Sequence, residues 1–318
     1  MIEVKRSLLR HFGIEEQGFF WDNICEDFKG DITDSIKHNQ MLVIIGDKGM
    51  GKNVLHQAAC ESLPENVIHV NVRNYYKEKL DISSIINACI YDLSDESPRR
   101  DLEARSRQFI RIVGAKYVTE KKLVSILINE GHRIHANTYR ALKELRESTF
   151  NGIGPLFSVV ITGHPELLAK IESRKEVLWR CQTLQLNEGE GWMKFDQRVK
   201  YVRAVFKDAV TDDARKRIAA ICKAPLEIIS YVEKKMEEAR HAGKKVIDGE
   251  VIRPSVRELK EAMEFSLKEI SDEANIPRST VHDVINNPDH KQTEIVRKAI
   301  EKLQQKRTGR KVEFGKAV

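Results

Sequence analysis

MLVIIGDKGMGKNVLHQAACESL, residues 41–63, is the stretch on which the fold turns. It opens with a continuous apolar run, Met41 to Ile45, of the kind that becomes a strand buried on both faces. It closes with apolar residues at helical spacing. Between the two stands Gly46-Asp47-Lys48-Gly49-Met50-Gly51-Lys52-Asn53, a GxxxxGK pattern in the strand–loop–helix setting that such a loop requires. Gly49 and Gly51 let backbone N–H groups curl around a phosphate with no Cβ in the way. The following helix turns its positive end toward the same anion. Lys52 reaches the β and γ phosphates as a point charge. The next residue in this pattern is normally Ser or Thr, whose hydroxyl holds Mg²⁺; here it is Asn53. An amide oxygen also ligates hard cations, on a longer arm.

Working outward, three more apolar runs follow: VIHVNV (67–72), LVSILI (123–128) and FSVVIT (157–162). Stretches with helical periodicity lie between them, so the reading is βαβ units and a parallel sheet covered on both faces. Residues 1–40 read as a helical lead. After about residue 187 the strand signal fades into three successive helices, with Gly243 as a C-terminal stop. Residues 246–256 read as a turn-rich joint, 257–305 as helical again, and 306–318 as a poorly ordered basic tail.

Composition sets the class. The 318 residues are 41% hydrophobic and 32% charged, which is enough apolar material for a core and excludes disorder for the bulk of the chain. No apolar run approaches the ~18–20 residues of a membrane span, and the N-terminus carries no secretory h-region. Five cysteines at 25, 60, 89, 181 and 222 include no CxxC, so reduced thiols in a cytoplasmic protein are expected. The net charge of +6 permits a polyanionic partner.

A phosphate loop needs a second strand with acids at its end. LVSILINEGHRI (123–134) takes that place and resembles the DEAH-like ending of Walker B strands. There the first acid supports Mg²⁺ and the second orients or deprotonates the attacking water. Glu130 stands as the candidate base, and the first acid is replaced by Asn129. Asn53 and Asn129 therefore fall where both protein contacts to Mg²⁺ are expected. The cofactors of the pattern are ATP and Mg²⁺.

SLLRHFGI, IIGDKGMGKN, ILINEGHRI and VVITGHPELLAKI occur in the same order as in ExeA-like, TnsC-like and Mu B-like AAA+ ATPases, and the chain resembles that group over residues 1–245 or so. The resemblance implies a P-loop NTPase of α/β class, an αβα parallel sheet with a helical lid. It places His164 at the sensor-1 position, where a polar side chain feels the γ phosphate. EVLWRCQTLQLN (176–187) is similar to the segment that supplies an arginine finger to a neighbouring subunit, with Arg180 the first candidate and Arg174 the second. The lid's sensor-2 arginine would fall near KAPLEII, where the residue is Glu227. Members of the group select targets and activate transposases in DNA transposition, or drive secretion.

SLKEISDEANIPRSTVHDVINN (266–287) looks like a helix-turn-helix similar to LacI-like and Mu B-like modules. Leu267, Ile270 and Ala274 give the first helix an apolar face, Asn275-Ile276 makes the turn, and Val281, Val284 and Ile285 point inward. Pro277 precedes the second helix, and Ser279 or Thr280 is positioned to cap it. That leaves Arg278, Ser279, Thr280, His282 and Asp283 outward, at the start of a helix that would enter the major groove. Lys306, Arg307, Arg310 and Lys311 add phosphate contacts. In the resembling transposition ATPases the inner surface of the oligomer meets the DNA backbone, a part open to Arg99, Arg100, Arg105, Arg107 and Arg111 or else to solvent alone.

The expected organisation is a helical lead (1–40), a AAA+ nucleotide-binding core (41–187), a lid (188–245), a linker (246–262), a helix-turn-helix module (263–305) and a basic tail (306–318). The expected function is an ATP-dependent DNA-binding protein that oligomerises on double-stranded DNA, as a ring or helical filament, and selects a target or activates a transposase. Two alternatives stand beside it: a nucleotide-binding, hydrolysis-deficient DNA-binding regulator or scaffold, and a helicase-loader or secretion-type ATPase. No membrane partner is expected.

Overall fold

A computed structural model describes residues 4–63, 66–72, 79–186, 192–287, 289–309 and 312–314. The chain divides into two compact units, Trp21–Trp192 and a second one that joins Met1–Phe20 to Met193–Val318. The helical lead is thus shared out. Its first helix, α1 (Arg6–His11), belongs to the second unit, and α2 (Asn23–Lys37) to the first.

The first unit is built on five parallel strands: β1 (Met41–Ile45), β2 (Val67–Val72), β3 (Leu123–Ile128), β4 (Ser158–Gly163) and β5 (Cys181–Gln185). Their order across the sheet is β2-β3-β4-β1-β5. Sequence explains the order. β1 is apolar throughout, β4 is apolar but for Ser158 and Thr162, and both are fully buried, so they fit the centre. β2 alternates, with Val70 and Val72 buried and His69 and Asn71 exposed, which suits an edge. β5, on the other edge, was not foreseen as a strand. Its Gln182, Thr183 and Gln185 hide the apolar pattern, and pairing with β1 imposes the extended form.

Helices α3 (Lys52–Glu61), α4 (Ile82–Leu93), α5 (Leu102–Gly114), α6 (Ala136–Glu147), α7 (Glu166–Glu172) and α8 (Lys175–Leu178) connect the strands. One face of the sheet, including Val43, Ile45, Ile126 and Ile161, packs on Ile85, Ile86, Phe109, Tyr139 and Leu142. The alternate residues Leu42, Ile44 and Val160 point to the opposite face, where α2 packs. Carboxylates start several of these helices: Asp22 accepts from Cys25 N–H at 3.0 Å, Asp81 from Ser84 at 2.7 Å and Asp101 from Ala104 at 2.8 Å.

In the second unit α9 (Phe195–Phe206), α10 (Asp212–Ile221) and α11 (Pro225–His241) are the three expected helices, and Gly243 at φ 70° follows the last. Then come α12 (Val256–Met263), α13 (Leu267–Ala274), α14 (Arg278–Asn286) and α15 (Thr293–Thr308). α12 occupies the end of the expected linker. Ser255 and Glu258 cap it reciprocally, and Leu259 is fully buried. The basic tail is also corrected in part. Lys306 and Arg307 lie in the last turn of α15, and Val312 and Phe314 are buried in one core with Val256, Ile270, Val281 and Ile300. Burying an aromatic ring outweighs the solubility of the charged residues around it.

Candidate nucleotide site

The carboxyl ends of β1 and β4 lie side by side, with Ile45 in register with Gly163. The loop leaves β1 there, and Gly46 N–H donates to Gly163 O at 3.2 Å. In an open α/β sheet this is the place where ligands bind, where successive connections leave in opposite directions. A Cβ on Gly46 would sit 3.1 Å from Leu186 Cβ. Gly49 and Gly51 have φ of 85° and 87°, a region that side chains rarely adopt. Gly51 is the N-cap of α3, so the first-turn amides of that helix have no acceptor within it and face the loop's concavity.

Lys52 folds across this loop. Its Nζ donates to Gly46 O at 2.6 Å and to Asp47 O at 2.8 Å. Burial holds its pKa below the ordinary lysine value, with Asp47 acting the other way. A cation already drawn into a cradle of carbonyls is what an incoming phosphate would redirect. Met50 is buried beneath the loop, while Lys48 and Asn53 are at its surface or edge.

A polar chain crosses the same edge of the sheet. Buried Thr162 on β4 donates from Oγ1 to Asn129 Oδ1 at 2.9 Å, and Asn129 Nδ2 donates to Asn71 Oδ1 on β2 at 3.4 Å. Asn71 and Thr162 were missed by the sequence reading. The available signal for Thr162 was a polar residue at the carboxyl end of an otherwise apolar run, and Asn71 carried none, since β2 alternates. Glu130 follows in a left-handed conformation, φ 56°, and pairs with Arg133 Nε at 3.0 Å, both half-exposed. Gly131 has no space for a side chain, since a Cβ would lie 2.4 Å from Ile161 Cγ2. Tyr139 OH donates to Gly131 O at 2.6 Å and fixes this turn.

His164 leaves β4 one residue beyond Gly163, and its ring centroid is 4.9 Å from that of His132. Burial, then the neighbouring His164, holds His132 below the ordinary histidine range, opposed by Glu130 and Glu166. The sheet edge therefore brings together the loop, Asn129, Glu130 and His164.

Arg180 is not part of that gathering. It precedes Cys181, the register partner of Met41, so it lies at the amino end of the strands. Five strand residues at ~3.3 Å each put it about 16 Å from the loop of its own chain. Its Nε donates to Glu147 Oε1 at 2.8 Å, which holds that carboxyl below the usual range. Arg174 donates to Lys170 O at 2.5 Å and stacks 5.9 Å from the Tyr139 ring centroid.

Residues 34–171 match the family model of the AAA domain. The five-stranded parallel sheet with its helices and the helical C-terminal region make the fold the α/β fold of AAA+ P-loop proteins. Among solved structures the chain is similar to Cdc6p from Pyrobaculum aerophilum, with a TM-score of 0.57 and 15% identity, covering 98% of this chain and 86% of that one. The origin recognition complex of Drosophila bound to DNA gives a TM-score of 0.49 at 13% identity, over 97% and 75%. The RuvB Holliday junction branch migration motor of Thermotoga maritima gives 0.45 at 13%, over 82% and 85%. Of these three only Cdc6p exceeds one half, and at 15% identity it speaks for the fold alone. No curated protein sequence matches the chain.

Within residues 34–171 the donors suit a nucleotide phosphate better than a protein-held metal. The loop offers N–H groups, a helix terminus and Lys52. At the two positions where protein contacts to Mg²⁺ are expected there are amides: Asn53 at the surface, and Asn129, whose oxygen already accepts from Thr162. Among the described residues no cluster of three carboxylate, imidazole or thiol side chains stands ready to hold a metal. This neutral set does not fit a magnesium ion anchored by the protein.

In the second unit Glu227 accepts from Lys223 N–H at 2.8 Å and Ala224 N–H at 3.3 Å, so it caps α11. Asn275, at φ 54°, ends α13, and Ile276 packs on the core that holds Val281 and Val284. Ser279 and Thr280 do not cap α14. The helix starts at Arg278 with Pro277 in the cap position, which puts both hydroxyls inside the first turn. Arg278, Ser279, His282 and Asp283 are exposed and Thr280 half-exposed. Lys306 pairs with Glu273, while Arg307 stacks 4.4 Å from the Phe265 ring centroid and donates to Met263 O at 2.9 Å. Arg310 and Lys311 lie outside the described residues. The basic segment before β3 is largely satisfied internally. Arg105 donates to Arg99 O, Arg100 O and Ser83, Arg107 pairs with Glu103, and Arg111 with Glu96. Among the described residues no helix is long and apolar enough to cross a membrane.

Proposed function

We propose that the protein is an ATP-dependent DNA-binding AAA+ protein that oligomerises on double-stranded DNA and selects a target for, or activates, a transposase. The observation that carries the nucleotide part is Lys52 held on Gly46 O and Asp47 O inside a loop that two left-handed glycines shape. In this reading Lys52 exchanges those carbonyls for the β and γ phosphates. The amides from Gly49 to Lys52 hold the phosphate oxygens, and His164 contacts the γ phosphate.

Glu130 is the base in this scheme. It must leave Arg133 to accept a proton from water that attacks the γ phosphorus. No step is assigned to a protein-held metal. With amides at 53 and 129, any ion rests on phosphates and water, and turnover is slow.

Assembly rests on the position of Arg180. At about 16 Å from its own loop it serves a neighbour's nucleotide or none. An arginine acting on the next subunit implies a head-to-tail contact, which closes into a ring or continues as a filament. For DNA, α14 is the reading helix, with Arg278, Ser279, Thr280 and His282 at its exposed start. Because Lys306 and Arg307 are tied to Glu273 and Phe265, their phosphate contacts would be secondary to those of α14.

A hydrolysis-deficient regulator or scaffold is the second reading, favoured by the Asn129–Thr162 bond and the Glu130–Arg133 pair, which occupy the two catalytic positions. Electron microscopy with duplex DNA, with and without ATP, separates the two. ATP-dependent rings or filaments support the first reading. Monomers that bind DNA through residues 263–311 alone support the second.

A further inference from the structure

Two imidazoles meet at the nucleotide edge of the sheet. His132 stands in the short turn Gly131–Arg133 after β3, and His164 follows the end of β4 directly. Their ring centroids are 4.9 Å apart, with the planes tilted by 48°. Packing around one leucine sets this geometry. A Cβ on Gly131 would lie 2.9 Å from Leu167 Cδ2, and one on Gly163 would lie 2.5 Å from the same atom. Leu167 N–H donates to His164 O at 2.8 Å, and the Lys170 ammonium donates to His132 O. One nitrogen of the pair is orphaned. His132 Nδ1 is shut off from solvent and meets no hydrogen-bond partner among the described residues. A buried polar atom left in that state costs free energy, so a partner that arrives with a ligand would be favoured.

We propose that His132 is a positioning residue for γ-phosphate recognition, acting through His164. When a nucleoside triphosphate binds, the pair takes up one proton and holds it in an N–H···N bond between the rings. The site thereby prefers a triphosphate to a diphosphate. This rests on the reading of His164 as the side chain that meets the γ phosphate.

Local charge explains why the proton waits for the ligand. The charged groups facing His132 are Glu130 and Arg133 from its own turn and Glu166 and Lys170 from α7. His164 faces it from β4, and Tyr139 of α6 sends its hydroxyl to Gly131 O. Two carboxylates against two cations leave no net charge, and Glu130 is itself paired with Arg133. Burial therefore decides, followed by the ring of His164, and His132 is held below the ordinary histidine range. A γ phosphate breaks this balance. One added negative charge within ~5 Å strengthens proton binding by an imidazole roughly 200-fold at an effective dielectric of about 20. A turn about χ2 then brings one nitrogen of each ring into hydrogen-bond range. The proton comes from solvent, His132 Nδ1 gains its partner, and the other N–H of His164 donates to a phosphate oxygen. A diphosphate leaves that position empty and the nitrogen orphaned. Preference for the triphosphate should accordingly weaken as pH rises through the raised value.

The test is calorimetric titration of the full chain with ATP and with ADP at pH 7. EDTA removes the metal that turnover needs, and two buffers of different ionisation heat count the protons. The wild type should take up a large fraction of one proton more with ATP than with ADP. His132→Phe keeps a ring in place and removes the orphaned nitrogen, so its nucleotide-free melting temperature should be kept. The extra uptake should be lost in this variant, and its preference for ATP over ADP should fall about tenfold, the low end for a lost charge-assisted bond. Protons carried by free ATP are the same for both proteins and drop out of their difference. His132→Gln, which cannot titrate, should behave as His132→Phe does. ATP binding with equal uptake in wild type and either variant, or with an unchanged preference, overturns the proposal alone. Absence of ATP binding by the wild type overturns the phosphate-loop reading and the proposal with it.

Discussion

Replacing Lys52 by alanine tests the nucleotide site most directly. In the structure Nζ makes two hydrogen bonds to loop carbonyls, at 2.6 and 2.8 Å. On binding ATP these are exchanged for two charge-assisted bonds to phosphate, each worth about 1.5–3 kcal/mol. The carbonyl bonds given up are charge-assisted too, so the net gain is the ammonium–phosphate attraction, about 4 kcal/mol at ~4 Å and an effective dielectric of about 20, less some desolvation, and the lysine contributes on the order of 3 kcal/mol. Its removal should then weaken binding roughly 150-fold, at 1.4 kcal/mol per factor of ten.

Thermal shift makes this measurable. At ATP about 100 times Kd the wild type gains about 2.7 kcal/mol by linkage, while the variant, at about 0.7 Kd, gains about 0.3 kcal/mol. For a unit the size of Trp21–Trp192, about 2–4 °C per kcal/mol converts these to roughly 5–11 °C and about 1 °C. The assay is scanning calorimetry or fluorimetry with and without millimolar ATP. No wild-type shift refutes the phosphate-loop reading. An equal shift in Lys52→Ala means that ATP binds elsewhere.

Asn53→Thr combined with Asn129→Asp should raise phosphate release from ATP, because a carboxylate at 129 still accepts from Thr162 and adds several kcal/mol of attraction for a divalent ion at an effective dielectric of about 20. That gain should vanish when Glu130→Gln is added, and a brisk wild-type rate indifferent to Glu130→Gln would contradict both assignments. Arg180→Ala should leave ATP binding by single subunits intact but reduce light scattering with DNA and ATP. Unchanged assembly would remove Arg180 from the interface. Binding to duplex DNA should fall steeply with salt, by about 0.9 log units per log unit of salt for each phosphate contacted. A flat salt response in a fluorescence anisotropy titration would exclude backbone contacts. Phe314→Ala should destabilise the second unit by about 3–5 kcal/mol, since the ring is fully buried, and denaturant melts should show it. A loss below about 1 kcal/mol would mean that the segment does not pack as described.

The glycine loop between β1 and α3 was legible from residues alone because its conformation is local. Glycines at 49 and 51, a lysine at 52, an apolar strand before and a helix after depend on neighbours in the chain. The central strands were legible for a similar reason: MLVII and the VVI of β4 are unbroken apolar runs, and only burial on both faces accounts for that. Other features depended on tertiary contacts. β5 carries too little apolar pattern to declare itself, and is a strand because β1 offers it a ladder of hydrogen bonds. Thr162 and Asn71 are distant in sequence from Asn129, and only parallel register brings them into one polar chain. The same holds for Phe314, a lone aromatic in a basic segment, buried because α12–α15 leave a place for it. Short-range chemistry can be read along the chain, whereas sheet order, cross-strand bonds and the burial of a lone ring depend on which distant segments the core brings together.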